Sequence, residues 1–239
     1  MTAFEEDFQA WRKCRAELLM DDFAELCRYR EANAALKPSG PEEDRIVFFG
    51  DSITEGWNLE ERFPGKPYIN RGIGGQTTPQ MLIRFRQDAV ALRPRVAIIL
   101  AGTNDIGGNT GPMQLEDIAA NLASMADIAR TNSLPAVFSS LLPPAHRETP
   151  LSRFNLLKHP LDAVLALNAW LAGYCAAHGL AFIDYYGAMS GPDGLVKPEF
   201  SEDGLHPTPL GYRAMAPLAR AAIGRALAGR ERDKLAVKI

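Results

Sequence analysis

Short apolar runs alternate with longer stretches of helical spacing from residue 45 onward. The first run, Arg45-Ile46-Val47-Phe48-Phe49, stops at Gly50 and reads as a strand over about 45–50, buried on both faces because it shows no polar alternation. A loop from Trp57 to Lys66 leads to a short strand at Tyr68-Ile69-Asn70. A glycine-rich turn, Arg71-Gly72-Ile73-Gly74-Gly75-Gln76, follows. Thr78 reads as the N-cap and Pro79 as the first position of a helix whose face is Leu82, Phe85, Ala89 and Leu92. The third strand, 95–100, is the most apolar and ends in Ala101-Gly102-Thr103-Asn104-Asp105. A helix over 115–131 places Leu115, Ile118, Leu122, Met125 and Ile128 on one face. Strand four is 135–140, a helix spans 161–178, and strand five is 180–184. The last helix starts near Thr208-Pro209 and runs to about 228, followed by a charged tail from Arg230 that is expected to fray. Between them lie an irregular segment, 142–159, with three prolines, and a polar loop that reaches Asp203-Gly204-Leu205-His206-Pro207.

Strands alternating with helices predict an α/β fold, a three-layer α/β/α sandwich around a parallel sheet. Five strands fit a flavodoxin-like order of 2-1-3-4-5 with right-handed crossovers. Residues 4–36 read as one or two helices, with Phe4, Phe8 and Trp11 at helical spacing and Asp21-Asp22 as an N-cap before Phe23, Leu26, Cys27 and Arg30. Too few apolar residues lie there for a separate core, so the chain is expected to be a single domain, with 1–40 a helical extension and 45–228 the catalytic core.

Composition narrows the function. The 239 residues carry a net charge of −3, which offers no basic field for nucleic acid. No apolar run reaches the roughly 18–20 residues of a membrane span, and no stable membrane association is expected. The acidic start lacks the basic-then-apolar order of a signal peptide, which makes the cytoplasm the default location, with export possible for a longer precursor. Cys14, Cys27 and Cys175 cannot all pair and suit no zinc site; Cys14 and Cys27 fall on helical patterns and are expected as small buried hydrophobes.

In a parallel sheet the strand ends share one edge, where open α/β sheets bind ligands. Ser52 follows strand one, Gly74-Gly75 follow strand two, and Asn104-Asp105 follow strand three. Asp203 and His206 lie in the loop before the last helix, on the same edge. Together these residues can make an acyl-transfer site. Ser52 is the nucleophile, His206 the base that activates it, and Asp203 the carboxylate that fixes the tautomer of the imidazole. The Ser52 and Gly75 N–H groups and the Asn104 amide can converge on an oxyanion. Taken singly, each has a structural reading: Ser52 as a helix cap, Asn104 as a loop cap, the glycines as a tight turn, and His206 as a solvent-facing loop residue. The glycine run is not a dinucleotide fingerprint, since Thr77 stands where the third glycine belongs. Asp51, Trp57, Gly74 and His146 are the further positions expected against the substrate, and Trp57 and Phe63 fit core packing equally well.

Gly50-Asp51-Ser52, Asn70 to Gly75, Gly102-Thr103-Asn104-Asp105 and Asp203 to His206-Pro207 together resemble the successive blocks of the SGNH (GDSL-type) esterases and lipases. The resemblance covers about 45–212; Ile53 replaces the leucine of the family's short name. It implies Ser52 as nucleophile, His206 as base, Asp203 as its partner, and Gly75 and Asn104 as oxyanion donors, with Gly75 preferred over Gly74 because it stands five residues after Asn70. It also implies the three-layer fold and no metal or cofactor. The expected function is hydrolysis of carboxylic esters, with short O-acyl groups on carbohydrate or small metabolites as substrate. The alternatives are a lysophospholipase or thioesterase with the same residues, and a non-catalytic carbohydrate-binding domain on the same fold.

Overall fold

A computed structural model of the chain describes residues 19–38, 40, 44–144 and 159–236, together with residues 10, 13, 14 and 17, with side chains as far as residue 229. His146 and most of the irregular segment lie outside the described residues.

The strands β1 (Ile46–Gly50), β2 (Tyr68–Gly72), β3 (Val96–Leu100), β4 (Ala136–Ser139) and β5 (Ala181–Ile183) form one parallel sheet in the order β2-β1-β3-β4-β5. Its side chains alternate between two cores, as the pleat requires. Val47, Phe49, Ala97, Ile99, Ala136 and Phe138 face one core, closed by α4 (Thr78–Asp88), α6 (Leu115–Thr131) and α7 (Leu161–Ala177). Ile46, Phe48, Val96, Ile98, Leu100 and Val137 face the other, closed by α8 (Tyr185–Met189) and α9 (Pro209–Ala236). The sheet is thus the middle of three layers, and this double burial is why its strands carry no polar alternation. Each fully buried Phe or Ile contributes on the order of 1.5–3 kcal/mol.

Register sets the edge on which the site is built. Gly50 pairs with Gly72 on one side and Leu100 on the other, so β1, β2 and β3 end level. Three short links leave these ends: α2 (Ser52–Glu55), followed by α3 (Leu59–Arg62), after β1, the glycine turn after β2, and α5 (Thr103–Ile106) after β3. Gly72 is required here by close approach. A Cβ on it would lie 2.1 Å from the Glu55 N and 2.7 Å from the Asp51 O, so β2 can run against α2 only without a side chain.

Several details depart from expectation. Asp22 does not cap a helix. Its Oδ2 accepts from the Cys27 N–H at 2.9 Å across a turn in which Glu25 has φ of 54°, and the next helix is the short α1 (Arg30–Ala34). Cys14 and Cys27 are exposed; only Cys175 is buried. Thr77, not Thr78, is the N-cap of α4, and its N–H donates to Gln80 Oε1 at 3.0 Å. The face of α4 also differs: Leu82 is only half-buried, whereas Gln80, Arg84 and Asp88 are fully buried beside Phe85. The reason is the segment after Asp22, which lies over α4. The Phe23 and Leu26 carbonyls accept from Gln80 and Gln87 at 2.6 and 3.0 Å, and Asn33 donates to Asp88 at 2.7 Å. At the other end of the chain α9 continues to Ala236, with Pro217 inside it, rather than ending near 228.

Candidate active site

Ser52 opens α2 directly after β1, with its helix capped by Asp51, whose carboxylate accepts from the Ile53 N–H at 2.9 Å. The helix has one turn and would not persist alone, so other elements hold it. Asn70 donates to the Thr54, Glu55 and Trp57 carbonyls at 2.6, 3.3 and 3.1 Å, which satisfies the carbonyl end of that turn. Tyr212 of α9 donates to the Ile53 carbonyl at 2.8 Å. Its backbone therefore cannot rotate away from the sheet edge.

The loop before α9 brings His206 to the serine. His206 Nε2 lies 2.9 Å from Ser52 Oγ, and its Nδ1 lies 2.7 Å from Asp203 Oδ2. Asp203 Oδ1 accepts from the Leu205 and His206 backbone N–H groups at 2.9 and 2.8 Å, and from Ser201 Oγ at 3.3 Å. Burial alone raises a carboxyl pKa, but for Asp203 the hydrogen bonds from the His206 ring and from these N–H groups outweigh it and hold the group down at about 2. The same Asp203 bond is the largest cause of the raised pKa of His206; burial opposes it, and the charges of Asp203 and Asp51 add to it. Asp203 therefore stays ionised, and its hydrogen bond favours the protonated form of His206.

Gly74 borders Ser52, since a Cβ built on it would lie 3.6 Å from the Ser52 Cβ, and Gly75 and Asn104 follow the ends of β2 and β3. Gly75 has φ of +73°, in the left-handed region that suits glycine. The Gly74 N–H is already bound to Glu55 Oε2 at 2.8 Å. Asn104, 6% exposed, donates to the Gln76 carbonyl at 3.0 Å and lies 3.4 Å from Asp51 Oδ2. A model of the GDSL-like lipase/acylhydrolase family matches residues 48–214, a span that holds all of these groups.

The chain belongs to the GDSL-like lipase/acylhydrolase family.

Solved relatives agree with this. A GDSL-like lipase from Bacteroides thetaiotaomicron is 39% identical, with a TM-score of 0.79, over 86% of this chain and 100% of the other. A candidate acylhydrolase from Bacteroides fragilis is 38% identical, with a TM-score of 0.80, over 86% and 99%. A curated relative, an uncharacterized lipoprotein of Bacillus subtilis, is 36% identical over 76 residues, 25% of this chain, and the chain spans only 31% of that protein's length. Family and neighbours place the chain among the carboxylic ester hydrolases. No helix among the described residues is long and apolar enough to cross a membrane, and among them no group of three or more His, Cys, Asp and Glu residues is arranged to hold a metal ion.

Within this GDSL-type site, the structure separates the positions expected against substrate. Asp51 is fully buried, so it cannot touch one; it caps α2 from behind. Burial pushes its carboxyl up to about 7, against the pull of the Ile53 N–H and of His206, while the charge of Asp105 adds to the rise. Trp57 is 3% exposed and packs among Phe48, Phe63, Tyr185 and Tyr212, so it is core rather than pocket wall. Phe63 is buried with it. Gly74 borders the site, but its N–H is committed to Glu55. His146 lies outside the described residues. His159, at the end of the irregular segment, is buried beside Gly107, which follows α5.

Other residues of the site had no distinctive sequence signal. Arg84 is wholly buried; it donates to Gln76 Oε1 at 2.5 Å, the Arg71 carbonyl at 3.0 Å and the Gly50 carbonyl at 2.9 Å, and lies 4.2 Å above the Phe49 ring. It thereby joins the end of β1 to the glycine turn. Arg28 binds the outer oxygen of Glu55 at 2.9 Å, and Tyr29 donates to the Gly72 carbonyl. Asn109 donates to both Asn104 Oδ1 and the Gly75 carbonyl. Helical spacing marks burial, and none of these contacts has a spacing of its own.

Proposed function

We propose that the chain hydrolyses esters of short acyl groups, about two to four carbons long, on carbohydrate or small metabolites, through a Ser52 acyl-enzyme. The carrying observation is the unbroken path from Asp203 through His206 to Ser52, with steps of 2.7 and 2.9 Å. Ser52 Oγ attacks the ester carbonyl carbon as His206 Nε2 takes its proton. The carbonyl oxygen becomes an oxyanion that accepts from the Ser52 and Gly75 N–H groups and the Asn104 amide. Collapse breaks the bond to the alcohol, which leaves with the proton from His206. A water then attacks the acyl-enzyme with His206 again as base, and the carboxylic acid departs as Ser52 regains its proton.

Polar surroundings favour the short-acyl reading. Asn109 and Thr110 stand half-buried beside the glycine turn, and His206 is 44% exposed. A long chain needs an extended apolar groove, worth about 0.8 kcal/mol for each buried methylene.

Ser52→Ala tests the mechanism: the variant folds and neither turns over an aryl acetate nor takes a fluorophosphonate label. Turnover by pure, folded Ser52→Ala protein would sink it. Acetyl, butyryl, octanoyl and palmitoyl esters of one leaving group test the substrate class. A maximum of kcat/KM at octanoyl or beyond rejects the short-acyl assignment in favour of a lysophospholipase or thioesterase.

A further inference from the structure

The oxyanion donors proposed above come from two separate strand ends, and neither is held by its own element. Gly75 sits in a turn, and Asn104 sits in the four-residue helix α5. One side chain touches both residues. Asn109 Nδ2 donates to Asn104 Oδ1 at 2.9 Å and to the Gly75 carbonyl at 3.1 Å, so the two hydrogens of one amide join the end of β2 to the end of β3.

We propose that Asn109 is a positioning residue of the oxyanion hole, holding Asn104 and Gly75 in the geometry that stabilises the transition state. This rests on the assignment of those two residues as donors. With Oδ1 of Asn104 occupied as an acceptor, the amide keeps Nδ2 turned to the Gln76 carbonyl, at 3.0 Å, and to Asp51 Oδ2 beside Ser52, at 3.4 Å. A flipped amide would present a lone pair to the oxyanion. The bond to the Gly75 carbonyl restrains the left-handed φ of +73° at that residue, while Glu55 holds the Gly74 N–H from the other side at 2.8 Å. Asn109 is itself built in. Its N–H donates to the Asn104 carbonyl at 3.0 Å, Gly108 before it has φ of +69°, and Thr110 after it shares a 3.0 Å hydrogen bond with Thr77 at the start of α4. Asn109 touches no reacting atom in the proposed mechanism; its effect passes through the two donors.

Steady-state kinetics on an aryl acetate with wild type, Asn109→Ala, Asn104→Ala and the double variant test this. Asn109→Ala lowers kcat by about 10- to 100-fold with KM changed by less than about threefold, a smaller loss than the roughly 10²–10³-fold expected from Asn104→Ala. In the Asn104→Ala background the same substitution costs much less than in wild type, because the amide it orients is gone. Asn109→Asp keeps the shape, cannot donate, and loses at least as much as Asn109→Ala. A folded Asn109→Ala protein with kcat within about twofold of wild type, or losses that multiply fully with those of Asn104→Ala, overturns the proposal. If Asn109→Ala does not fold, Asn109→Ser, whose hydroxyl can serve one of the two acceptors, carries the same comparison. If neither folds, Asn109 is a folding residue and the positioning role fails. Turnover surviving Ser52→Ala would sink the mechanism as a whole, whereas wild-type rates from Asn109→Ala in a chain that Ser52→Ala inactivates sink only this inference.

Discussion

Asp203→Asn separates two ways in which a carboxylate can help a histidine. The first is electrostatic: Asp203 stabilises the imidazolium that forms when Ser52 loses its proton. Its scale follows from the shift of the carboxylate itself, to which the backbone N–H groups and the opposing burial also contribute. The fall of the Asp203 pKa from 3.8 to about 2 corresponds to about 2.5 kcal/mol of preference for the ionised form. The side chain is 30% exposed, so solvent screening reduces this to about 1–2 kcal/mol, or about 5- to 30-fold in rate. The second is tautomeric. The substituted amide would keep an oxygen for the Leu205 and His206 N–H groups, which now bind Oδ1, and would turn an NH2 toward His206 Nδ1, now 2.7 Å from Oδ2. That N–H donor selects the tautomer protonated on Nε2, which cannot accept the Ser52 proton. In a serine protease the same exchange costs about 10⁴ in kcat, so a loss of about 10³–10⁴, or about 4–5.5 kcal/mol, is expected here. The assay is kcat/KM for an aryl acetate between about pH 5 and 9. For wild type, activity rises with pH through a midpoint above 6.5, because the free base is the active form and the His206 pKa is raised. In Asp203→Asn that midpoint moves to lower pH, since the largest raising cause is removed and burial, which lowers the pKa, remains. A loss below about 30-fold, or an unmoved acid limb, refutes the tautomer argument. Because the native pKa is depressed, the carboxylate's contribution to stability is present above pH 3.8 and lost as pH falls through about 2. Asp203→Asn therefore narrows the difference in Tm between neutral and strongly acid solution.

Gly72→Ala places a Cβ 2.1 Å from the Glu55 N and 2.6 Å from its Cα, both backbone atoms that no side-chain rotation can move. A cost of about 1–3 kcal/mol and a Tm lower by roughly 3–10 °C are expected by calorimetry; an unchanged Tm would contradict the close approach of β2 and α2. Arg84→Met leaves the Gly50 and Arg71 carbonyls and Gln76 Oε1 without that donor, and leaves Asp88 without its cation at 3.3 Å. Urea unfolding should show a loss of about 3–5 kcal/mol, and a loss under about 1 kcal/mol would mean that water or other groups replace the guanidinium.

The apolar run at 46–49, the glycine that ends it and the serine two positions later were enough to place β1 and the start of α2, because a strand buried on both faces leaves an unbroken apolar run and a strand end leaves a glycine. The same holds for β3 and the Asn104 segment, and alternation with helices implied the sheet order. Family blocks in the sequence pointed to Ser52, Asp203 and His206, and the fold brings His206 within hydrogen-bond distance of both other side chains. What the sequence could not determine is how polar groups are shared between distant segments. Trp57 fitted a pocket wall or the core equally well until α8 and α9 supplied Tyr185 and Tyr212 as its neighbours. Arg84 and Asp88 break the apolar face of α4, and they are buried only because residues 23–33 lie over that helix and, with the ends of β1 and β2, supply its acceptors and donors. Asn109 carried no signal at all in an exposed-looking run of glycines, since its two acceptors come from residues 5 and 34 positions away. Periodicity records whether a residue is buried, a property of its own position. A hydrogen bond across the site depends on the partner's position too, and only the closed fold brings the two together.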